Sequence, residues 1–78
     1  MATLRLFASI REAAGTGLVR IEAATVHDLV AAATDQFGPT FAELVPTCRV
    51  WVNGEQVIES QPISSADEVA LLPPVSGG

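Results

Sequence analysis

Val69, Ala70, Leu71 and Leu72 form an unbroken apolar run, and Pro73-Pro74 follows it at once. A short run of this kind, apolar on both faces and bounded by breakers, reads as a strand with neighbours on either side. Such a strand belongs in the middle of a sheet. The remaining residues must therefore supply flanking strands and a covering layer. Whatever follows Leu72 then leaves from the centre of the sheet, not from its rim.

The flanking strands can be read upstream. Thr3 to Ser9 alternates, with Leu4, Leu6 and Ala8 on one face and Thr3, Arg5 and Phe7 on the other, which predicts a half-buried first strand. Gly15 and Gly17 in "REAAGTG" predict a turn, and Leu18 to Ala23 alternates again as the second arm of a hairpin. Thr25 is a helix N-cap with Asp28 three residues later, a capping-box variant that places negative charge at the positive helix end. Val26, Leu29, Val30, Ala33 and Phe37 then recur at helical spacing until Gly38-Pro39. "TFAELVP" predicts one further helical turn before Pro46. Cys48 to Val52 is a third strand, with Val50 and Val52 opposite Arg49 and Trp51. Asn53-Gly54 is a hairpin turn, since both residues accept positive φ, and a short edge strand over Glu55 to Ile58 follows it.

The order is strand, strand, helix, strand, short strand, strand. It predicts an α+β fold: a mixed sheet of four to five strands, one main helix on one face, and the last strand parallel to the first. That is the β-grasp arrangement of ubiquitin-like domains. The expected organisation is a body over residues 1–72 and a flexible tail over residues 73–78.

Composition removes most function classes. At 78 residues there is room for one domain and one modest core. No apolar run approaches the ~20 residues of a membrane span, and the N-terminal stretch lacks a basic-then-apolar signal pattern, so a cytoplasmic protein without membrane contact is expected. Cys48 is the single cysteine and His27 the single histidine. No His-based catalytic pair or Cys/His metal cluster can be assembled from them, and Cys48 reads more naturally as a small buried hydrophobe than as a nucleophile. Asp67 and Glu68 are adjacent strand residues pointing to opposite faces, so they form no acid-base pair. A net charge of −5 argues against a nucleic-acid partner and favours a basic protein partner, although the same charge also serves solubility. With no phosphate-cradling glycine motif and no metalloprotease motif, the chain is not expected to be an enzyme on its own.

The tail remains. Pro73 and Pro74 stiffen the exit from the sheet and reduce the entropy lost when a partner fixes it. Val75, Ser76, Gly77 and Gly78 are slim enough to pass along a narrow channel, and from Pro74 onward the extended reach is roughly 15 Å. Most C-termini are merely frayed ends. Gly-Gly placed directly behind the central strand of a β-grasp body points instead to the Gly78 carboxylate as the working group.

"LFASIREAAGT" at Leu6 to Thr16, taken with "DEVALLPPVSGG" at Asp67 to Gly78, resembles the small, sulfur-carrying subunit of molybdopterin synthase, within the ubiquitin-like sulfur-carrier superfamily. The likeness spans essentially the whole chain, with one departure: Ala66 stands where the family usually has a glycine, which puts that turn in question. The resemblance implies that a ubiquitin-activating-type enzyme, using ATP and Mg, adenylates Gly78. A persulfide donor then converts it to a thiocarboxylate. The loaded tail would enter the large synthase subunit and give sulfur to cyclic pyranopterin monophosphate. It further implies a non-catalytic subunit that binds no cofactor and no metal, with Arg11 meeting the partner; Glu12 could instead pair locally. Related carriers for thiamine, cysteine or tRNA thiolation, a protein modifier joined to target lysines, and a plain interaction module are the alternatives.

Alternation also places Phe7, Trp51 and Leu72, with Arg5 and Arg49, on the sheet face opposite the helix. An apolar patch there marks a docking surface unless loops or long side chains cover it.

Overall fold

The computed structural model describes residues 1–74. Its elements are β1 (Ala2–Leu6), α1 (Ala8–Ala14), β2 (Leu18–Ile21), α2 (Val26–Phe37), α3 (Pro39–Leu44) running into a 3-10 turn (Val45–Thr47), β3 (Arg49–Val52), β4 (Glu55–Gln56) and β5 (Glu68–Leu72). The strands form one five-stranded sheet in the order β2-β1-β5-β3-β4. The apolar last strand lies at its centre, parallel to β1 and antiparallel to β3, with a neighbour on either side.

Register sorts the two faces. Leu4 pairs with Val69 and Leu6 with Leu71, while Val52 and Val50 stand opposite the same two β5 residues. These side chains point toward the helices and meet Ile10 of α1, Val26, Leu29 and Ala33 of α2, and Phe41 of α3. Phe41, Leu4, Leu6, Ile10, Leu29 and Leu71 are the largest fully buried side chains, each contributing roughly 1.5–3 kcal/mol through removal from water. α2 is the main helix. Thr25 caps it by accepting the Asp28 N–H at 3.2 Å, and Gly38 ends it at φ 92. The chain continues through Pro39 at the first turn of α3, where a missing N–H costs nothing.

Four local expectations are corrected. β1 stops at Leu6, not Ser9, and "ASIREAA" is helix α1 where a turn was expected. The physical reason is that Ile10, Ala13 and Ala14 recur at i, i+3 and i+4 and pack against the core, with Ile10 fully buried. Gly15, at φ 77, closes α1 with a left-handed cap whose N–H reaches the Arg11 carbonyl at 2.9 Å. β1 and β2 nevertheless remain antiparallel neighbours, held at the open end by Leu6 N–H to Gly17 O at 3.0 Å. The main helix thus has two companions on the same side of the sheet: α1, and α3 where "TFAELVP" predicted a further turn.

β3 begins at Arg49, since Cys48 still belongs to the end of the 3-10 turn. β4 covers only Glu55–Gln56, with one further cross-strand bond from the Val57 N–H to the Val50 carbonyl at 3.0 Å. The turn before it has the positive φ values that the sequence demanded, 49 at Asn53 and 87 at Gly54. At the departure from the family pattern, Ala66 sits in a Ser64–Asp67 turn closed by Asp67 N–H to Ser64 O at 3.0 Å. Among the described residues the positive-φ positions outside glycine are Ala8 and Asn53, so the Ala66 methyl group meets no left-handed strain.

Candidate functional site

The sheet face turned away from the helices is built by the alternate strand positions. Arg5, Ala70 and Trp51 stand in one row across β1, β5 and β3, and Leu72 stands opposite Arg49 in the next. Leu18 and Arg20 extend the face onto β2, as the partners of Arg5 and Thr3. Trp51 and Leu72 are half-buried, yet neither belongs to the core or to the residues packed against it. Arg5 Nε lies 2.9 Å from Glu68 Oε2, a half-exposed pair on the same face.

Phe7 occupies a different place from the one alternation gives it. It is the N-cap of α1, extended at φ −133, and remains 40% exposed. It is the residue after Leu6, just as Leu72 follows Leu6's register partner Leu71, so both mark the end of the sheet from which the tail departs. Arg11 is on α1, exposed, with its side chain laid across Gly17; a Cβ at Gly17 would stand 3.0 Å from Arg11 Nε. A side chain at position 17 would press on the Arg11 side chain and displace it by a few tenths of an ångström. Arg11 forms the wall between two adjoining clefts. One, of 610 Å³, includes Ser9, Glu12 and Thr16; the other, of 360 Å³, includes Arg5, Phe7, Thr16 and Leu18.

The structure therefore brings Phe7 and Arg11 to one cleft with Arg5, and sets Trp51 and Leu72 on the adjoining sheet. Pro73 and Pro74 continue from β5 out of regular structure. Val75, Ser76, Gly77 and Gly78 lie outside the described residues. Leu18, Arg20 and Thr16 join the site without having been singled out from the sequence. For Leu18 and Arg20 the signal was present, since β2 alternates and its outward residues share a face with Arg5.

Cys48 is half-buried and its thiol donates to the Leu44 carbonyl at 3.4 Å; burial pushes its pKa above the ordinary thiol value. His27 is exposed, with Nδ1 3.5 Å from the Asp28 carboxylate. Among the described residues no cluster of three or more His, Cys, Asp or Glu could hold a metal ion, and no helix is long and apolar enough to cross a membrane.

The β-grasp fold is also what comparison with known proteins returns. The ThiS family model matches residues 4–78, nearly the full chain. The chain belongs to the ThiS family. Small archaeal modifier protein 1 of Haloferax volcanii is 36% identical, over 95% of this chain and 97% of that protein. Its crystal structure superposes with a TM-score of 0.89 at 33% identity, covering 99% of this chain and 98% of that one. A putative molybdopterin converting factor subunit 1 from Pyrococcus furiosus gives a TM-score of 0.84 at 27% identity, covering 95% and 97%. The complex of subunits 1 and 2 of the molybdopterin-converting factor from Helicobacter pylori shares the fold, at 24% identity and a TM-score of 0.76, over 99% of this chain and 97% of that one. As a ThiS-family member the chain is a ubiquitin-like carrier or modifier, a class of small non-catalytic proteins.

Proposed function

We propose that this chain carries sulfur on Gly78 for molybdopterin synthesis. The observation that carries the reading is the position of the exit. β5 is the central strand, it ends at Leu72 beside Arg49, and residues 73–78 follow it within the stretch that the family model matches. A carboxylate on such an arm can be delivered into another protein while the sheet docks outside.

The chemistry expected of the tail is simple. The Gly78 carboxylate attacks the α-phosphorus of ATP on the activating enzyme, pyrophosphate leaves, and an acyl-adenylate forms. A persulfide sulfur displaces AMP, and a thiol then cleaves the new S–S bond to leave the thiocarboxylate and a disulfide. Adenylation supplies the leaving group that a carboxylate lacks, and the thiocarboxylate is the nucleophile for the pterin precursor in the large synthase subunit. ATP and Mg belong to the activating enzyme, the pterin pocket to the large subunit, and the docking residues on this chain are Phe7, Arg11, Trp51 and Leu72.

Intact mass spectrometry after incubation with the adenylating enzyme, ATP and a persulfide source tests the reading. The full chain should gain the mass of one oxygen exchanged for sulfur, and a chain lacking Gly78 should gain nothing. An unchanged mass under conditions where the enzyme consumes ATP on this carrier would remove it.

A second reading is favoured by the Haloferax volcanii relative, whose name is that of a modifier. It shares the activation of Gly78 and differs in the acceptor, a target lysine in place of sulfur. Affinity capture separates the two: a ladder of heavier covalent adducts supports the modifier, a non-covalent complex with the synthase large subunit the carrier. The sequence contains no lysine, so one copy cannot be joined to a lysine of another.

A further inference from the structure

The net charge of −5 hides an uneven distribution. The chain has four side-chain cations, all arginines, against nine carboxylates. Arg5, Arg20 and Arg49 occupy outward positions of the open sheet face, and Arg11 lines the adjoining cleft with Arg5. Glu68 is the one acid at a strand position of that face, and Arg5 already pairs with it. Among the described residues Arg20 and Arg49 make no ion pair, and both are exposed. The helix side is the reverse: α2 and α3 carry Asp28, Asp35 and Glu43 with no lysine or arginine.

From this we infer that the open face docks against a carboxylate-bearing protein surface, with Arg20 on edge strand β2 and Arg49 on β3, next to Trp51 and Leu72, as its free cations. The inference rests on the carrier reading and names the chemistry of its partner. It also reverses what the overall charge suggests, because a partner at contact senses the charges within about a Debye length, not the sum over the far side of the molecule. A protein surface fits better than a nucleic acid. Trp51, Ala70 and Leu72 give the face an apolar strip, and the acids of the helix side add repulsion for a polyanion longer than the patch.

The experiment uses the full chain with the adenylating enzyme encoded in the same genome, following carrier-dependent exchange of labelled pyrophosphate into ATP. The Arg20→Ala/Arg49→Ala double variant should raise the KM for the carrier about tenfold with kcat little changed, because charges at a docking rim act on encounter and binding. The wild-type KM should rise as salt is increased from about 50 to 500 mM. Asp28→Asn/Asp35→Asn/Glu43→Gln, on the opposite side, should leave KM where it is. A double variant that keeps the wild-type urea midpoint and the wild-type KM overturns the inference. So does micromolar, arginine-dependent binding of a single-stranded RNA oligonucleotide by fluorescence anisotropy, which would assign the face to nucleic acid. Absence of exchange with the wild-type chain would instead remove the carrier reading, and this inference with it.

Discussion

Asn53 and Asp67, 14 residues apart in sequence, are joined side chain to side chain, with Asn53 Nδ2 donating to Asp67 Oδ1 at 2.9 Å. Asn53 Oδ1 in turn accepts the Glu68 N–H at 2.9 Å, and the Asn53 N–H donates to the Glu68 carbonyl at 2.9 Å. The β3–β4 turn is thereby stitched to the first residues of β5. That stitch fixes the register in which Val52 faces Val69 and, three residues on, Arg49 faces Leu72. A slip by one residue would turn Leu72 inward and send the tail out from the wrong face. The geometry of the exit is therefore set at the opposite end of the strand.

Asn53 has two separable duties, the side-chain stitch and a backbone at φ 49. Asn53→Gly keeps the backbone conformation and loses the stitch; Asn53→Ala loses both. Both variants should lower the urea midpoint. The alanine variant should be the less stable of the two by about 1 kcal/mol, the cost of a left-handed conformation for a residue with a Cβ. Equal midpoints would mean that the turn does not need its positive φ.

Acid should act at the same place. The Asn53 side chain, and then the Ser64 backbone N–H, hold the Asp67 carboxyl below its usual range. The folded state then binds fewer protons than the unfolded state in this window, so the contribution is present above the unfolded carboxylate pKa. It is lost as pH falls through the lower folded value, below about pH 4. Asp67→Asn should flatten the acid limb of a stability-against-pH curve below that point. If the wild type and the variant show the same acid limb, the group is not linked to folding.

The sequence carried the parts of this fold that repeat and hid those that close loops. β5 was legible because four apolar residues in a row before Pro73-Pro74 mark a central strand, and α2 because its stripe spans twelve residues behind a threonine cap. α1 was not. It is seven residues long, and Ala8 continued the alternation of Leu4 and Leu6 by coincidence. The Asn53–Asp67 stitch was invisible, because polar residues in two separate turns give no periodic signal. The candidate site divides in the same way. Trp51, Leu72 and Arg49 followed from alternation, whereas the company of Arg11 and Phe7 depended on the unread helix.

Ala8 enters α1 at φ 53, a left-handed conformation that costs an alanine about 1–2 kcal/mol. Glycine takes it without that cost but gives up chain entropy, so Ala8→Gly should gain about 0.5 kcal/mol, measured as a higher urea midpoint. Ala8→Val should lose more than that, since a β-branched residue is a true outlier there. A lower midpoint for the glycine variant would show that the methyl group packs usefully enough to offset its strain.

Cys48 should behave as a packed hydrophobe. With burial raising its pKa and the thiol turned to the Leu44 carbonyl, little thiolate forms near neutral pH. Alkylation by iodoacetamide at neutral pH should be several-fold slower in the folded chain than in urea, because the thiolate is the nucleophile. Equal rates would reopen a chemical role.

Leu71 and Leu72 are neighbours with opposite duties, and a pair of substitutions separates them. Leu71 is fully buried between Leu6 and Val50, so Leu71→Ala should cost about 2–5 kcal/mol and reduce activation only through the folded fraction. Leu72 points to the open face, outside the core, beside the start of the tail. Leu72→Asp should therefore change stability by less than about 1 kcal/mol. It nevertheless places a carboxylate opposite Arg49 and removes the apolar centre of the docking face. Affinity for the adenylating enzyme, measured by titration calorimetry on protein shown to be folded, should fall at least about tenfold, as expected for a central apolar anchor. A folded Leu72→Asp chain that binds like wild type would show that the tail alone is recognised, and the sheet would then serve only to hold it.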